Sequence, residues 1–236
     1  ETRRIGILDV SVVGLGCNNF GMTIDADATR AVVDAAIEAG ITYFDTAESY
    51  GDSELLLGQA LRGRRDEAVI ATKFSHAHPE KARASLDASL ARLGTDRIDL
   101  WQLHRIDRKV PAEEQFGVLA ELQREGKVRH VGVSNYSVHQ SALLSRFLGK
   151  APATNQIEIS LLHMDAIWDG TLDQCQAAGV HPMAWSPLGG GRLVNGDSPE
   201  AVRTREALER IGAEYGATPE QMAHAWVAAL PCRPQV

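Results

Sequence analysis

Two rhythms of apolar residues alternate along this chain. Short continuous runs rich in β-branched and aromatic residues, such as "TYFDTA", "AVIATKF", "RIDLWQLH" and "VRHVGVSN", have the length and composition of strands buried on both faces. Between them lie longer stretches in which apolar residues recur every three or four positions, the spacing of one helix face. In "DADATRAVVDAAIEAG" that face is predicted to comprise Ala28, Ala31, Val32, Ala35 and Ala39, with Gly40 as the stop. After a possible N-terminal hairpin and a strand at "SVVGLG", the alternation continues through helices "SELLLGQALRGR", "PEKARASLDASLARLG", "PAEEQFGVLAELQREG" and "SVHQSALLSRFLG". Strand "TNQIEIS" precedes helix "TLDQCQAAG", and strand "VHPMAWSPL" precedes a helix near Pro199 to Tyr215.

Seven strand-then-helix units in one chain predict a parallel sheet covered by helices. That many repeats without a break in composition favour an α/β (β/α)8 TIM barrel over a doubly wound sheet. No Pro/Ser-rich linker interrupts the pattern, so residues 1–236 are expected to form one domain. Thr218-Pro219-Glu220-Gln221 has the form of a capping box with proline at the first helical position, predicting a helix to about Leu230. An eighth strand should follow, but the sequence stops at "RPQV" where that strand would begin. The expectation is a barrel whose eighth strand and C-terminal segment lie outside these residues, the sequence being part of a longer chain.

Composition narrows the classes of function. A chain of 236 residues, 44% hydrophobic, can bury a large core. A net charge of −7 and a pI near 5.6 repel phosphate backbones and anionic lipid surfaces, so neither nucleic acid nor membrane is an expected partner. Cys17, Cys175 and Cys232 are odd in number and widely separated, which suits structural thiols in a reducing, cytoplasmic compartment. No apolar run has the length of a membrane span. Nothing in the pattern specifies an oligomeric state.

In a (β/α)8 barrel the chemistry sits at the C-terminal strand ends. The second strand ends in Asp45 with Tyr50 in its loop, the third carries Lys73, and the fourth ends in His104. Singly, each has a structural reading: a helix cap, a loop aromatic, a strand-end charge, a satisfied histidine. Together, four polar groups at one end of three consecutive strands would be costly to bury unless they paired. Their chemistry also fits one reaction. An ammonium close to a phenol favours the phenolate and so makes the phenol a better acid, while a carboxylate anchors the ammonium. An imidazole N–H aimed at the same oxygen would polarise a carbonyl.

Later strand ends carry groups suited to a hydride donor. Ser134 and Asn135 end the fifth strand and could hold a carboxamide, and Gln156 lies in the sixth. Trp185 could stack on a planar ring. The segment Ser186, Pro187, Leu188, Gly189, Gly190, Gly191 and Arg192 could cradle a pyrophosphate with backbone amides and one positive charge. A plain flexible turn is an equally open reading of the glycines alone.

At these residues the sequence resembles the aldo-keto reductase family. "FDTAESYGDSELLLG", "IATK", "RIDLWQLH", "GKVRHVGVSN" and "WSPLGGG" follow its motifs in order, from about Ile5 to Val236. The resemblance implies reduction of an aldehyde or ketone to an alcohol, with Tyr50 as general acid, Lys73 and Asp45 tuning it, and His104 orienting the carbonyl. It implies NADPH as cofactor, or NADH, with Trp185 stacked on the nicotinamide, Ser134, Asn135 and Gln156 at its carboxamide and Asp45 near its ribose. Asn18, in "GLGCNNFG", stands where many relatives have a tryptophan near the cofactor. The stretches after Lys73 and after Gly191 are shorter than in relatives, and the segment that binds the adenosine 2′-phosphate is not within these residues.

Other motifs compete for attention. His76-x-His78 suggests a metal pair, as in hydrolases on the same barrel, but lies in a loop after the third strand without further ligands. No metal is expected. Gly14-x-Gly16 is followed by glycine only at position 21, so dinucleotide-fingerprint spacing fails. "RGRRDE" reads as a solvated charged turn. Trp101 and Trp168 are candidates for shaping a pocket, with core packing favoured for Trp101. The alternative function is a nicotinamide-binding regulatory subunit with slow or vestigial turnover.

Overall fold

The computed structural model describes residues 1–75 and 78–236. The chain divides into two compact units, Glu1–Thr154 and Asn155–Val236.

The first unit opens with an antiparallel hairpin, β1 (Thr2–Ile5) and β2 (Leu8–Ser11). Its tip rests on His130: the Ile7 N–H donates to His130 Nε2 at 3.3 Å. A Cβ on Gly6 would stand 2.3 Å from that ring, and φ there is +58°, so glycine is required on both counts. The strand expected over "SVVGLG" contracts to β3 (Leu15–Gly16). Ser11 belongs to the hairpin, and its Oγ accepts from Thr42 N at 3.0 Å while donating to Val13 O at 2.6 Å. These side-chain bonds take the place of a ladder and leave Val13 exposed.

Helix α1 (Ala26–Glu38) begins at Asp25, whose side chain accepts from Ala28 N at 2.9 Å, and ends before Gly40 in a left-handed turn. Its buried residues are Thr29, Val33 and Ala36, not the alanine-rich set expected from spacing, and Val32 is exposed. Alanine contributes too little apolar surface to fix a helix face, whereas Val33 does.

Then follow β4 (Tyr43–Asp45), α2 (Ser53–Ala60), a 3-10 turn (Arg65–Glu67), β5 (Val69–Phe74), α3 (Pro79–Leu93), β6 (Ile98–Leu103), α4 (Ala112–Arg124), β7 (Val128–Ser134) and α5 (Val138–Leu148). Strands β3 to β7 are parallel neighbours in sequence order. A doubly wound sheet would reverse that order, so the sequential run is barrel order. The register sets Asp45 beside Ala71, Lys73 beside Gln102 and Gln102 beside Gly132. All six residues of β6 are buried, as expected of a strand covered on both faces. Phe74 and Trp101 stack at 3.9 Å within the core between sheet and helices, which confirms packing as the role of Trp101.

The second unit contains β8 (Thr154–Glu158, whose first residue closes the first unit), α6 (Asp165–Trp168), α7 (Thr171–Ala178), β9 (His181–Trp185), α8 (Arg192–Asn195), α9 (Pro199–Tyr215) and α10 (Pro219–Ala228). Both bonds of the Thr218/Gln221 capping box are formed, with Pro219 in the first turn as predicted. Beyond α10, Gln235 makes a parallel bridge to Met183: Ala184 N donates to Gln235 O at 2.8 Å and Gln235 N to Pro182 O at 3.1 Å. The eighth strand is thus reduced to one bridge among the described residues. The fold class is α/β, of the (β/α)8 kind, with seven strand–helix units among the described residues.

Candidate active site

In the first unit the fold brings Asp45, Tyr50, Lys73 and His104 together at the C-terminal ends of β4, β5 and β6. Strand alternation turns Asp45, the last residue of β4, and Lys73 to the same face of the sheet. The Lys73 ammonium, 1% exposed, pairs with Asp45 Oδ2 and donates to Thr46 O at 3.0 Å. Burying this cation requires such a partner. Asp45 Oδ1 in turn accepts from Gln102 Nε2 at 3.3 Å and from the Tyr43 hydroxyl at 3.4 Å. Burial, and then the adjacent Asp45 charge, pushes the Tyr43 phenol well above its ordinary value, so it stays protonated as a donor.

Tyr50 lies in the loop after β4, its N–H donating to Ala47 O at 3.1 Å. Its ring faces two of the other groups. The Lys73 ammonium stands 5.3 Å from the ring centroid, within cation–π range. The His104 ring is edge-on at 6.0 Å between centroids. Half-buried His104 is anchored by its backbone N–H, which donates to Phe74 O at 2.9 Å. Burial pushes its imidazole below the ordinary value of 6.5; Lys73 and Arg105 push the same way, against Asp45 and Glu48. The neutral ring is therefore favoured near neutral pH, with one N–H available as donor.

Most of the remaining candidates lie on strand ends or the loops after them. Asn18 is exposed in the turn following β3. Ser134 closes β7, and Asn135 Nδ2 donates to Ser134 Oγ at 2.7 Å. Asn135 has φ +59°, a conformation uncommon outside glycine. In the second unit Gln156 is buried in β8, and Trp185, ending β9, is half-buried. Ser186, with φ +51°, starts a tight turn in which Gly189 N donates to Ser186 O at 2.8 Å. Gly189, Gly190 and Gly191 all have positive φ, so the glycine run is a defined left-handed turn. Leu188 O accepts from Leu193 N at 3.2 Å, and Arg192 Nε folds back to Gly189 O at 2.8 Å. Pro187 and Leu188 are half-buried, and Trp168 is 79% exposed on α6. His76 lies outside the described residues.

Several contributors carry no signal of their own in the sequence pattern, or only a faint one. Gln102 links Thr154, whose Oγ1 donates to its Oε1 at 3.2 Å, to Asp45. A polar residue in an otherwise apolar strand was the available signal. Ser53 and Glu54 of the motif are buried structural residues: Ser53 Oγ donates to Cys17 O at 2.7 Å, and Glu54 accepts from Thr72 at 2.5 Å and Arg92 at 2.6 Å. "RGRRDE" is not wholly solvated. Arg65 reaches inward to Asp99 Oδ2 at 2.6 Å, Ala68 O at 2.6 Å and Arg97 O at 3.1 Å. Cys17 and Cys175 are buried thiols, both pushed up by desolvation, Cys175 to about 12, in keeping with a structural role.

A family model described as "Aldo/keto reductase family" matches residues 12–234. The chain is 40% identical over 224 residues to 6-dehydroglucose reductase of Novosphingobium aromaticivorans, covering 87% of this chain and 73% of that protein. It is 37% identical over 221 residues to oxidoreductase YdhF of Escherichia coli, covering 86% and 74%. A crystal structure of a thermostable aldo-keto reductase in complex with the inhibitor epalrestat superposes with a TM-score of 0.88 at 30% identity, covering all of this chain and 87% of the other.

Proposed function

This chain belongs to the aldo/keto reductase family, and on that premise we propose that it is a nicotinamide-dependent reductase turning aldehydes or ketones into alcohols. The observation that carries the reading is the buried Lys73–Asp45 pair with the rings of Tyr50 and His104 set beside it. Lys73, held by Asp45, stabilises negative charge on the Tyr50 oxygen, so Tyr50 can protonate the oxygen of the carbonyl being reduced. Neutral His104 donates to that same oxygen and orients it. Gln102 and Tyr43 keep Asp45 turned toward the lysine.

A nicotinamide cofactor fits the residues present. At Gly190 and Gly191 no atom of a described residue other than their chain neighbours lies within 4 Å of the point where a Cβ would stand, so their backbone is open to close approach by a pyrophosphate. Ser134, Asn135 and Gln156 offer amide and hydroxyl groups for a carboxamide, Trp185 offers a stacking face, and Asn18, Ser186, Pro187, Leu188, Gly189 and Arg192 complete the proposed contacts. NADPH, or NADH, would supply the hydride when bound. Residues 1–236 acting as one cytoplasmic catalytic domain belong to the same proposal. Among the described residues, no helix is long and apolar enough to cross a membrane. The substrate class is proposed to include oxidised sugars, after the 6-dehydroglucose reductases that the chain resembles.

Steady-state oxidation of NADPH and NADH with a panel of simple aldehydes, ketones and oxidised sugars tests the reading. Sustained turnover with at least one carbonyl compound is expected. A single slow turnover with no recycling would support a regulatory nicotinamide-binding role instead, and no oxidation with any of them would count against reduction altogether.

A further inference from the structure

Glu48 lies between the two proposed participants of the second strand's loop, three residues past Asp45 and two before Tyr50. Its partners are on other elements. The Glu48 N–H donates to the carbonyl of Lys73 at 3.0 Å. Its Oε1 accepts from the Ser75 N–H at 2.7 Å, and its Oε2 accepts from the Ser85 hydroxyl on α3. One residue thus fastens the Tyr50 turn to Lys73 near the end of β5, to Ser75 just past that strand, and to α3. Before Glu48 the segment is also held to β5 through Thr46, whose N–H donates to Ala71 O at 2.9 Å and whose carbonyl accepts from Lys73 Nζ at 3.0 Å. Past Glu48 its backbone bonds are local, Tyr50 N to Ala47 O at 3.1 Å and Ser53 N to Tyr50 O at 3.0 Å. Half-buried, the carboxylate has both oxygens engaged, an arrangement that a merely solvated loop glutamate has no reason to hold.

We propose that Glu48 is a positioning residue for the reduction: it locks the Tyr50 turn onto the end of the Lys73 strand and so fixes the separation between phenol and ammonium. This inference rests on the reductase reading above. A proton donor displaced by about 1 Å loses on the order of 100-fold in rate, so a tether at this point bears directly on turnover. Its charge has a second consequence. The charged groups facing His104 are Lys73 and Arg105, which oppose protonation of the imidazole, and Asp45 and Glu48, which favour it. Removing the Glu48 charge therefore moves the protonation of His104 to lower pH.

The test compares the full chain with E48A, E48Q and S85A. E48A removes both acceptors, and turnover should fall about 10- to 100-fold while NADPH affinity, read from tryptophan fluorescence, stays close to the parent's. E48Q keeps an acceptor for Ser75 and a donor for Ser85, so turnover should return close to the parent's while the acid limb of the pH–rate profile moves to lower pH. Parent-like turnover in E48A would overturn the proposal. Should E48A fail to fold, S85A carries the test: reduced turnover with unchanged NADPH affinity is expected, and parent turnover overturns the idea. Amide hydrogen exchange at Ser75 reads the tether without any turnover. Faster exchange in E48A and protection in E48Q are expected, and identical exchange in all variants would contradict the tether. Failure of the parent to oxidise NADPH would instead sink the reductase reading and leave the exchange result to decide the tether.

Discussion

Asp45 and Asp99 are both drawn away from solvent in the first unit, at opposite ends of the same parallel strands. Asp99, second in β6, is saturated: Arg65 at 2.6 Å, Arg129 at 3.0 Å and the Ile70 N–H at 2.9 Å occupy its two oxygens. Asp45, last in β4, also holds a cation, but its lysine faces the Tyr50 ring, with His104 beyond. The Tyr50 hydroxyl has no hydrogen bond to a described residue. An ion pair alone therefore does not mark a site. What marks one is the chemistry left over after pairing: none at Asp99, and a phenol and a neutral imidazole at Asp45. In barrels the N-terminal strand ends serve stability and the C-terminal ends serve reaction, and on the function proposed above the two carboxylates divide along that line.

The largest expected effect falls at the Asp45 end. Lys73→Met removes the cation beside the phenol, and turnover should drop about 10²- to 10³-fold, the size seen when one preorganised electrostatic group is lost. NADPH affinity, measured by fluorescence titration, should stay near the parent's. At the Asp99 end, Arg65→Met should cost about 3 kcal/mol in urea unfolding, because a buried carboxylate loses its closest partner. Turnover per folded molecule should hold. If Arg65→Met lowered turnover under native conditions, the division between the two ends would break down.

Gly132 sharpens the comparison because it lies between them. A Cβ there would stand 2.2 Å from Thr154 Oγ1 and 3.1 Å from Gln102 Cγ, the pair that supports Asp45. Gly132→Ala should cost about 1–3 kcal/mol by overpacking, and a few-fold loss of turnover should accompany it, checked by thermal melting and kinetics together. The smallest effect is in pH. His104 at the proposed reactive end and His130 at the other are both held below the ordinary value of 6.5, each chiefly by burial. Below that value the unfolded chain binds protons that the folded one refuses, so their contribution to stability is complete above pH 6.5 and lost as pH falls through the window beneath it. Thermal midpoints should decline on acidification through that window, less steeply in His104→Gln.

Much of the proposed reactive end was legible in the sequence because strand ends are. An apolar run that stops in Asp45, a second that carries Lys73 near its end and a third that stops in His104 each announce a strand and its terminus. The fold followed from the same alternation. What stayed hidden depends on contacts that no local pattern encodes. Gln102 and Glu48 act through partners 57 and 27 residues away in sequence. Arg65 reads as a turn charge until β6 places Asp99 behind it. The buried face of α1 departs from the one its spacing predicts because alanines mark spacing without marking burial. Left-handed backbone at Asn135 and Ser186 carries no glycine to signal it.

Single-turnover mixing of the chain with deuterium-labelled NADPH and an aldehyde, in the parent and in Tyr50→Phe, tests the assignment of the reactive end most directly. The expected result is labelled alcohol from the parent, with deuterium on the former carbonyl carbon, and unreacted NADPH still bound to the variant. Labelled alcohol formed by Tyr50→Phe at the parent's rate would contradict it.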